Sequence, residues 1–328
     1  MTTLYIIGNG FDRQHGLKTS YWDFRIYLEK YAQDFLMELE EIYDFAPFEK
    51  LDKRFKHNKI KQSNRENIIY NELWKEFEHN LGEASDGRFL DFSDSIVSQL
   101  GLEGGLIGVK DTLDQYWEEQ YEFIKNLNYY LRRWIRQVRL YKAKPLKIEF
   151  LHNVEDYFFT FNYTNVLERI YKINNNRIIH IHGGLSPYCE TEPVLGHGNY
   201  KAIEVYREKA KDASKMYDEA NQSIYNAIAN YYERTWKNTN SCLKTHDVFY
   251  DNIKCVDKVE IIGHSFGNVD LPYFNYLKQR ISDNAEWCFY CHTDEDIVNA
   301  KSAIKEMGLL DNKCKLIQSA EFWSNVDN

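Results

Sequence analysis

The sequence predicts an α/β fold, a mostly parallel sheet carrying large helical insertions. Strand-length apolar runs recur along the chain and stop abruptly in glycine or polar residues, as strands do where a parallel sheet offers its carboxyl ends to a ligand. The stretch 156–184, DYFFTFNYTNVLERIYKINNNRIIHIHGG, adds a βαβ-like spacing: the runs DYFFTF and RIIHIH flank a helix-sized segment.

Taken in order, Leu4 to Ile7 is a first strand that breaks at once into Gly8-Asn9-Gly10-Phe11-Asp12. Glycines there remove Cβ atoms and let backbone N–H groups face an anionic ligand, although a lone Gly-x-Gly is as often a plain tight turn. Ser20 with Asp23 three residues on reads as the capping box of the next helix. From about 19 to 145 the pattern is helical, in amphipathic segments such as NIIYNELWKEFEHNL and TLDQYWEEQYEFIKNLNYYLRRWIRQV. Too long for one crossover, it reads as an insertion, and a second helical insertion spans about 200 to 250 of a single domain.

Three more strands follow. Lys258 to Ile262 ends in Gly263-His264-Ser265-Phe266-Gly267 with Asp270 just beyond, Glu286 to His292 ends in His292-Thr293-Asp294, and Lys313 to Gln318 closes the sheet. In a parallel sheet the ends GNG, TFNYT, HIHGG, GHSFG and CHT share one edge, and that convergence marks a site better than any single motif.

A chain of 328 residues with 43% hydrophobic and 28% charged residues buries a sizeable core. Its net charge of −9 argues against broad nucleic-acid binding. A local stretch free of acids, with Arg132, Arg133, Arg136, Arg139, Lys142, Lys144 and Lys147, reads first as a solvated helix end and second as a surface for an acidic partner. The longest apolar runs are strand-sized and a strand starts near residue 1, so neither a signal peptide nor a membrane span is expected, and the localisation expected is cytoplasmic. Six cysteines without framework spacing fit reduced thiols. Cys288 and Cys291 form a C-x-x-C, but on a strand residues three apart face opposite ways; the pair reads as structural and no metal is expected.

Three chemistries fit these strand ends. Gly-x-Ser-x-Gly around Ser265 matches a nucleophile elbow of a serine esterase, with Asp283 and His292 formally available as partners; this leaves the GNG, TFNYT and HIHGG ends unused. Alternatively the ends form a nucleotide site. Asn162 then holds a water or ribose hydroxyl, His182 takes its proton, Gly8 and Gly10 accept a pyrophosphate and Ser265 offers a hydroxyl, a set suited to cleaving an N-glycosidic bond through an oxocarbenium-like transition state. Singly, each has a plain structural alternative: a His at a strand end is usually satisfied by its neighbours, and an Asn before a helix is often a cap. His180, flanked by isoleucines, is read as structural, whereas His182 precedes Gly183 and Gly184 at an open rim. Third, the chain is a non-catalytic binding or scaffolding module.

The order GNGFD, TFNYT, HIHG and GHS resembles the AbiH family of phage abortive-infection proteins, most closely over the start IIGNGFDRQHGLKTSYWDF and the segment LWKEFEHNL. Asn9, Lys18 and His264 depart from the usual patterns. That family is in turn similar to the sirtuin-like, Rossmann-like NAD-binding fold. The resemblance implies NAD as substrate, Asn162 and His182 as catalytic residues, and a binding surface made by Gly8, Asn9, Gly10, Asp12, Thr160, Gly183, Gly263, Ser265 and Asp270. It implies NAD+ hydrolysis in antiviral defence, with NAD or a related nucleotide, a phage-derived trigger and further copies of the chain as partners.

Overall fold

Alternate residues of Thr3–Ile7 feed two different apolar layers, Leu4 and Ile6 on one side and Tyr5 and Ile7 on the other, which makes this segment (β1) a fully buried central strand. The structure, a computed structural model, describes residues 1–43, 45, 59–83, 109–185, 189, 191–244 and 246–324. The further strands are β2 (Tyr157–Thr160), β3 (Ile178–His180), β4 (Lys258–Ile262), β5 (Glu286–Cys291) and β6 (Cys314–Gln318). They form one sheet in the order β3-β2-β1-β4-β5-β6, with every pairing parallel. This is the Rossmann-like α/β arrangement: the chain builds outward from β1 to one edge, then returns to β1 and builds outward to the other, so the order reverses between β1 and β4. The register runs His180, Thr160, Ile7, Ile262, Tyr290 across five strands, and their carboxyl ends finish nearly level.

Two strands stop earlier than their apolar runs, β2 at Thr160 and β3 at His180. Between them the expected helix shrinks to a single turn, Val166–Arg169. Lys172 takes a left-handed φ of 60°, and Asn174 accepts the Asn176 N–H to start a short 3-10 turn, so the asparagine run makes local bonds instead of continuing a helix.

One face of the sheet packs Phe159, Val259, Ile261 and Phe289 against helices Leu271–Arg280 and Asp294–Met307; the other packs Phe158 and Ile262 against Phe11, Phe150, Leu167 and Phe322. Each such side chain contributes about 1.5–3 kcal/mol by leaving water. On β5, Cys288 and Cys291 face opposite ways as their spacing requires, and burial pushes their thiols up to about 12 and about 11.

By its internal contacts the chain divides into a sheet unit, Met1–Asp23, Leu131–Val194 and Asn238–Asn328, and a helical unit, Phe24–Tyr130 and Leu195–Lys237. In the helical unit, Tyr200–Lys215 and Glu219–Thr235 are joined through Tyr217, at φ 58°, and the Asp218 cap. Buried Arg25 donates to both oxygens of buried Glu40, at 2.6 and 3.2 Å, and the Trp74 indole N–H donates to Glu40 at 3.0 Å. Some of the many tyrosines serve packing here: the Tyr43 and Tyr231 hydroxyls meet at 2.8 Å.

Within the sheet unit the basic stretch is partly consumed internally. Arg132 pairs with Glu192, and Lys147 pairs with Glu149 at 3.8 Å while its Nζ lies 4.9 Å over the Phe322 ring. Among the described residues, no helix is long and apolar enough to cross a membrane.

Candidate active site at the carboxyl edge of the sheet

Gly8 and the short helix it caps, Asn9–Gln14, press directly on the loop after β4. A Cβ on Gly8 would lie 2.5 Å from the Gly263 carbonyl oxygen, and one on Gly10 would lie 2.6 Å from Gly263 Cα. Gly8 N–H donates to Ile262 O at 2.9 Å and Gly10 N–H to Gly263 O at 2.8 Å. This corrects the expectation that these two N–H groups face an anionic ligand: the glycines serve close approach, but between two backbone segments. Asn9, expected to line the ligand, exchanges hydrogen bonds with Thr19, donating to its carbonyl at 2.9 Å and accepting from its hydroxyl at 2.6 Å. Ser20 and Asp23 form the expected reciprocal cap. His15 also proves structural, its Nδ1 bonded to Phe11 O and its Nε2 to the Tyr171 hydroxyl, each at 2.7 Å.

Asp12 is the hub of this edge. It is 1% exposed, and its two oxygens accept from Asn162 Nδ2 at 3.0 Å and from the Thr164 hydroxyl at 2.6 Å. Burial pushes its carboxyl up to about 6, despite the opposing effect of those donors. Asn162 Nδ2 also donates to Gly8 O at 3.1 Å. Both amide protons are thereby assigned to acceptors, which orients the amide and leaves Oδ1 as its acceptor for a ligand. The Thr160 hydroxyl donates to Ile7 O and accepts the Asn162 backbone N–H, so Thr160 orients Asn162 from within the protein.

His180 is satisfied on both ring nitrogens, by the Asn162 carbonyl at 2.8 Å and by Glu168 at 3.0 Å. Burial by itself would lower its pKa, but the Glu168 carboxylate, the Asn162 carbonyl and the nearby Asp12 together outweigh that and the net direction is up. The structural reading of His180 therefore holds, with the added role of gripping the backbone of Asn162.

His182 lies past the end of β3, in a turn closed by Gly183 N–H to His180 O at 2.9 Å. Gly183 is required in that turn: φ is 76°, and a Cβ would sit 2.2 Å from Glu192 O. The His182 ring packs edge-on against Phe161 and Tyr273, each 5.2 Å away, and its Nε2 lies 3.4 Å from Asp270 Oδ1. The other Asp270 oxygen lies 3.2 Å from His264 Nε2. Asp270 thus stands between two histidines, a relationship that the sequence reading missed by treating His264 as a spacer within Gly-x-Ser. The signal was present as a histidine at a strand end with a carboxylate six residues later.

Ser265 is exposed, and its carbonyl accepts from Asn299 at 3.2 Å. The helix after β4 starts only at Leu271, so the sharp strand-to-helix turn of an elbow does not form. Asp283 precedes β5 and lies toward the opposite edge of the sheet, while His292 Nδ1 meets the Ser319 hydroxyl at 3.3 Å. The esterase triad does not assemble.

The edge therefore collects Asn162 and His182 from neighbouring strand ends, Asp12 bonded to Asn162, Asp270 beside His182, and Gly8, Gly10 and Gly263 as the close-packed floor. Neither the curated proteins nor the solved structures include a match to this chain. The model of the family described as bacteriophage abortive infection AbiH matches residues 4–291, most of the 328-residue chain, and the chain belongs to the AbiH family.

Proposed function

We propose that this abortive-infection protein is an NAD+ glycohydrolase built on a sirtuin-like NAD site. The observation that carries the proposal is the preset orientation of the Asn162 amide, at the strand end next to that of His182. With both Asn162 amide protons given to Gly8 O and Asp12, its Oδ1 is the acceptor for a water or a ribose hydroxyl. His182 is the group that takes the proton, and the Asp270 carboxylate, with Oδ1 3.4 Å from His182 Nε2, stands where it can stabilise the imidazolium that forms.

In the reaction the bond from ribose C1′ to the nicotinamide nitrogen breaks, and its electron pair goes to the pyridinium ring, which loses its charge. Water held by Asn162 adds to the oxocarbenium carbon, and its proton passes to His182. The products are nicotinamide, ADP-ribose and a proton. Such a reaction depends on positioning and charge stabilisation more than on a strong nucleophile. Burial supports it further: His182 is 4% and Asn162 7% exposed, so both act away from bulk water. Ser265, exposed in the loop after β4, offers its hydroxyl to the nucleotide. An enzyme that consumes NAD must be restrained between infections, and a phage-derived trigger acting on a homo-oligomer is part of the same proposal.

The test is product analysis of NAD incubated with purified protein, with and without extract from phage-infected cells. Nicotinamide and ADP-ribose in equal amounts are expected. Intact NAD under both conditions would remove the enzymatic reading in favour of a binding module.

A further inference from the structure

We infer that Glu168 is a positioning residue: it holds His180 doubly protonated, so that the Nδ1–H of the imidazolium clamps the backbone carbonyl of Asn162. This rests on Asn162 holding water or ribose in the proposed reaction, but the geometry that carries it is independent of the substrate.

The proton count follows from what each ring nitrogen of His180 meets. Nδ1 lies 2.8 Å from the Asn162 carbonyl oxygen, which can only accept, so Nδ1 carries a proton. Nε2 lies 3.0 Å from Glu168 Oε1. A neutral ring with its one proton on Nδ1 would set the lone pair of Nε2 against a carboxylate oxygen. A second proton between Nε2 and Oε1 removes that conflict, and imidazole is the stronger base of the two, so the pair is an imidazolium beside a carboxylate. Burial opposes a charged ring, yet Glu168, the Asn162 carbonyl and Asp12 together raise the His180 pKa above the ordinary 6.5.

The pair stands where it controls the backbone of Asn162. Glu168 belongs to the single helical turn Val166–Arg169 that follows Asn162, and His180 ends β3, so the clamp joins the carboxyl ends of β2 and β3. The Asn162 side chain is tied to Gly8 O and Asp12, and its backbone N–H donates to the Thr160 hydroxyl at 3.0 Å. The bond from His180 completes this set and has a cation as its donor; an ionised partner makes a hydrogen bond roughly twice as strong as a neutral pair. The ring is also enclosed. The side chains of His180 and Glu168 are 4% and 13% exposed, and a Cβ on Gly184 would lie 3.2 Å from His180 Cγ. Besides Glu168, the titratable groups near the ring are Asp12, from the helix Asn9–Gln14, and the Cys189 thiol, on Gly184.

Glu168→Gln keeps the length of the side chain and a hydrogen bond, since its amide N–H can donate to a neutral Nε2, but it removes the charge that retains the second proton. Nitrogen-15 NMR is expected to show His180 protonated on both ring nitrogens in the wild type, with a titration midpoint above 6.5, and a lower midpoint in Glu168→Gln. The Asn162 carbonyl carbon is expected to titrate with His180 in each protein. With NAD, at a pH between the two midpoints, Glu168→Gln is expected to lower kcat about 3- to 10-fold with KM changed less than about threefold, the scale that separates a charge-assisted from a neutral hydrogen bond. A wild-type midpoint at or below 6.5 would overturn the inference, as would the same midpoint in both proteins, an Asn162 carbonyl indifferent to His180, or identical profiles of kcat against pH. If the protein hydrolyses no NAD at all, the reading of the reaction fails while the two NMR titrations still decide the clamp.

Discussion

Asp12 and Asn162, 150 positions apart in the chain, meet at 3.0 Å in the buried interior of the sheet's carboxyl edge. That bond ties the short helix after β1, Asn9–Gln14, to the loop after β2 and helps determine which way the Asn162 amide faces. It also places a carboxylate where water does not reach it.

The carboxylate has a thermodynamic consequence. Its folded-state pKa of about 6 lies above the ordinary 3.8, so the folded protein binds this proton more tightly than the unfolded chain does. The contribution to stability is present below about pH 4 and is lost as pH rises through about 6. Asp12→Asn is uncharged and keeps an oxygen for Asn162. Urea unfolding of both proteins should show wild type losing about 2–3 kcal/mol relative to Asp12→Asn between about pH 4 and about pH 7.5. A difference that stays constant with pH would contradict this.

Gly263 carries the contact between the β1 and β4 loops. Its φ is 67°, and a Cβ there would lie 2.4 Å from the Phe11 backbone nitrogen, where no flexible side chain is present to yield. Gly263→Ala is expected to destabilise by about 3 kcal/mol or more. Gly267→Ala, where no atom lies within 4 Å of the added carbon, is the control and should unfold within about 0.5 kcal/mol of wild type. Equal stability of the two variants would show that the loops do not need their close approach.

In the helical unit, Glu40→Ala removes the carboxylate shared by Arg25 and Trp74 and leaves the guanidinium 5% exposed. Breaking a buried pair from one side costs about 3–5 kcal/mol. Denaturation monitored by tryptophan fluorescence should show a loss on that scale, and a loss below about 1 kcal/mol would mean that the exposed Glu29, 3.6 Å from Arg25, suffices as its partner.

Ser265→Ala tests the nucleotide reading against the esterase reading. An exposed hydroxyl that only contacts the nucleotide should, when removed, raise KM for NAD about 3- to 10-fold and leave kcat within about twofold. Hydrolysis of a simple ester that depends on Ser265 but not on His182 would instead favour Ser265 as a nucleophile.

Much of this fold was legible because strands buried on both faces leave continuous apolar runs, and those at Lys258–Ile262 and Glu286–Cys291 appear almost to the residue. The βαβ spacing overstated its helix, since Lys172 and the asparagine run terminate it through local backbone conformations that periodicity does not register. At the site, Asn162 and His182 stood out as polar groups at strand ends. Their partners did not: Asp12 lies in the short helix Asn9–Gln14, 150 positions from Asn162, and Asp270 meets His264 around a left-handed Phe266 that no composition rule anticipates. The glycines were read correctly as a demand for close approach, but a sequence does not say whether the approaching group is a phosphate or another strand's carbonyl.

The central claim is that Asn162 and His182 break NAD during infection. The most direct measurement is the NAD and nicotinamide content of bacteria expressing wild type, Asn162→Ala or His182→Ala, followed through phage infection at matched protein levels. NAD should fall and nicotinamide rise in the wild type only, with both variants holding NAD at the level of cells lacking the protein. NAD that stays constant while the wild type still blocks the phage, or that falls equally in all three strains, would contradict it.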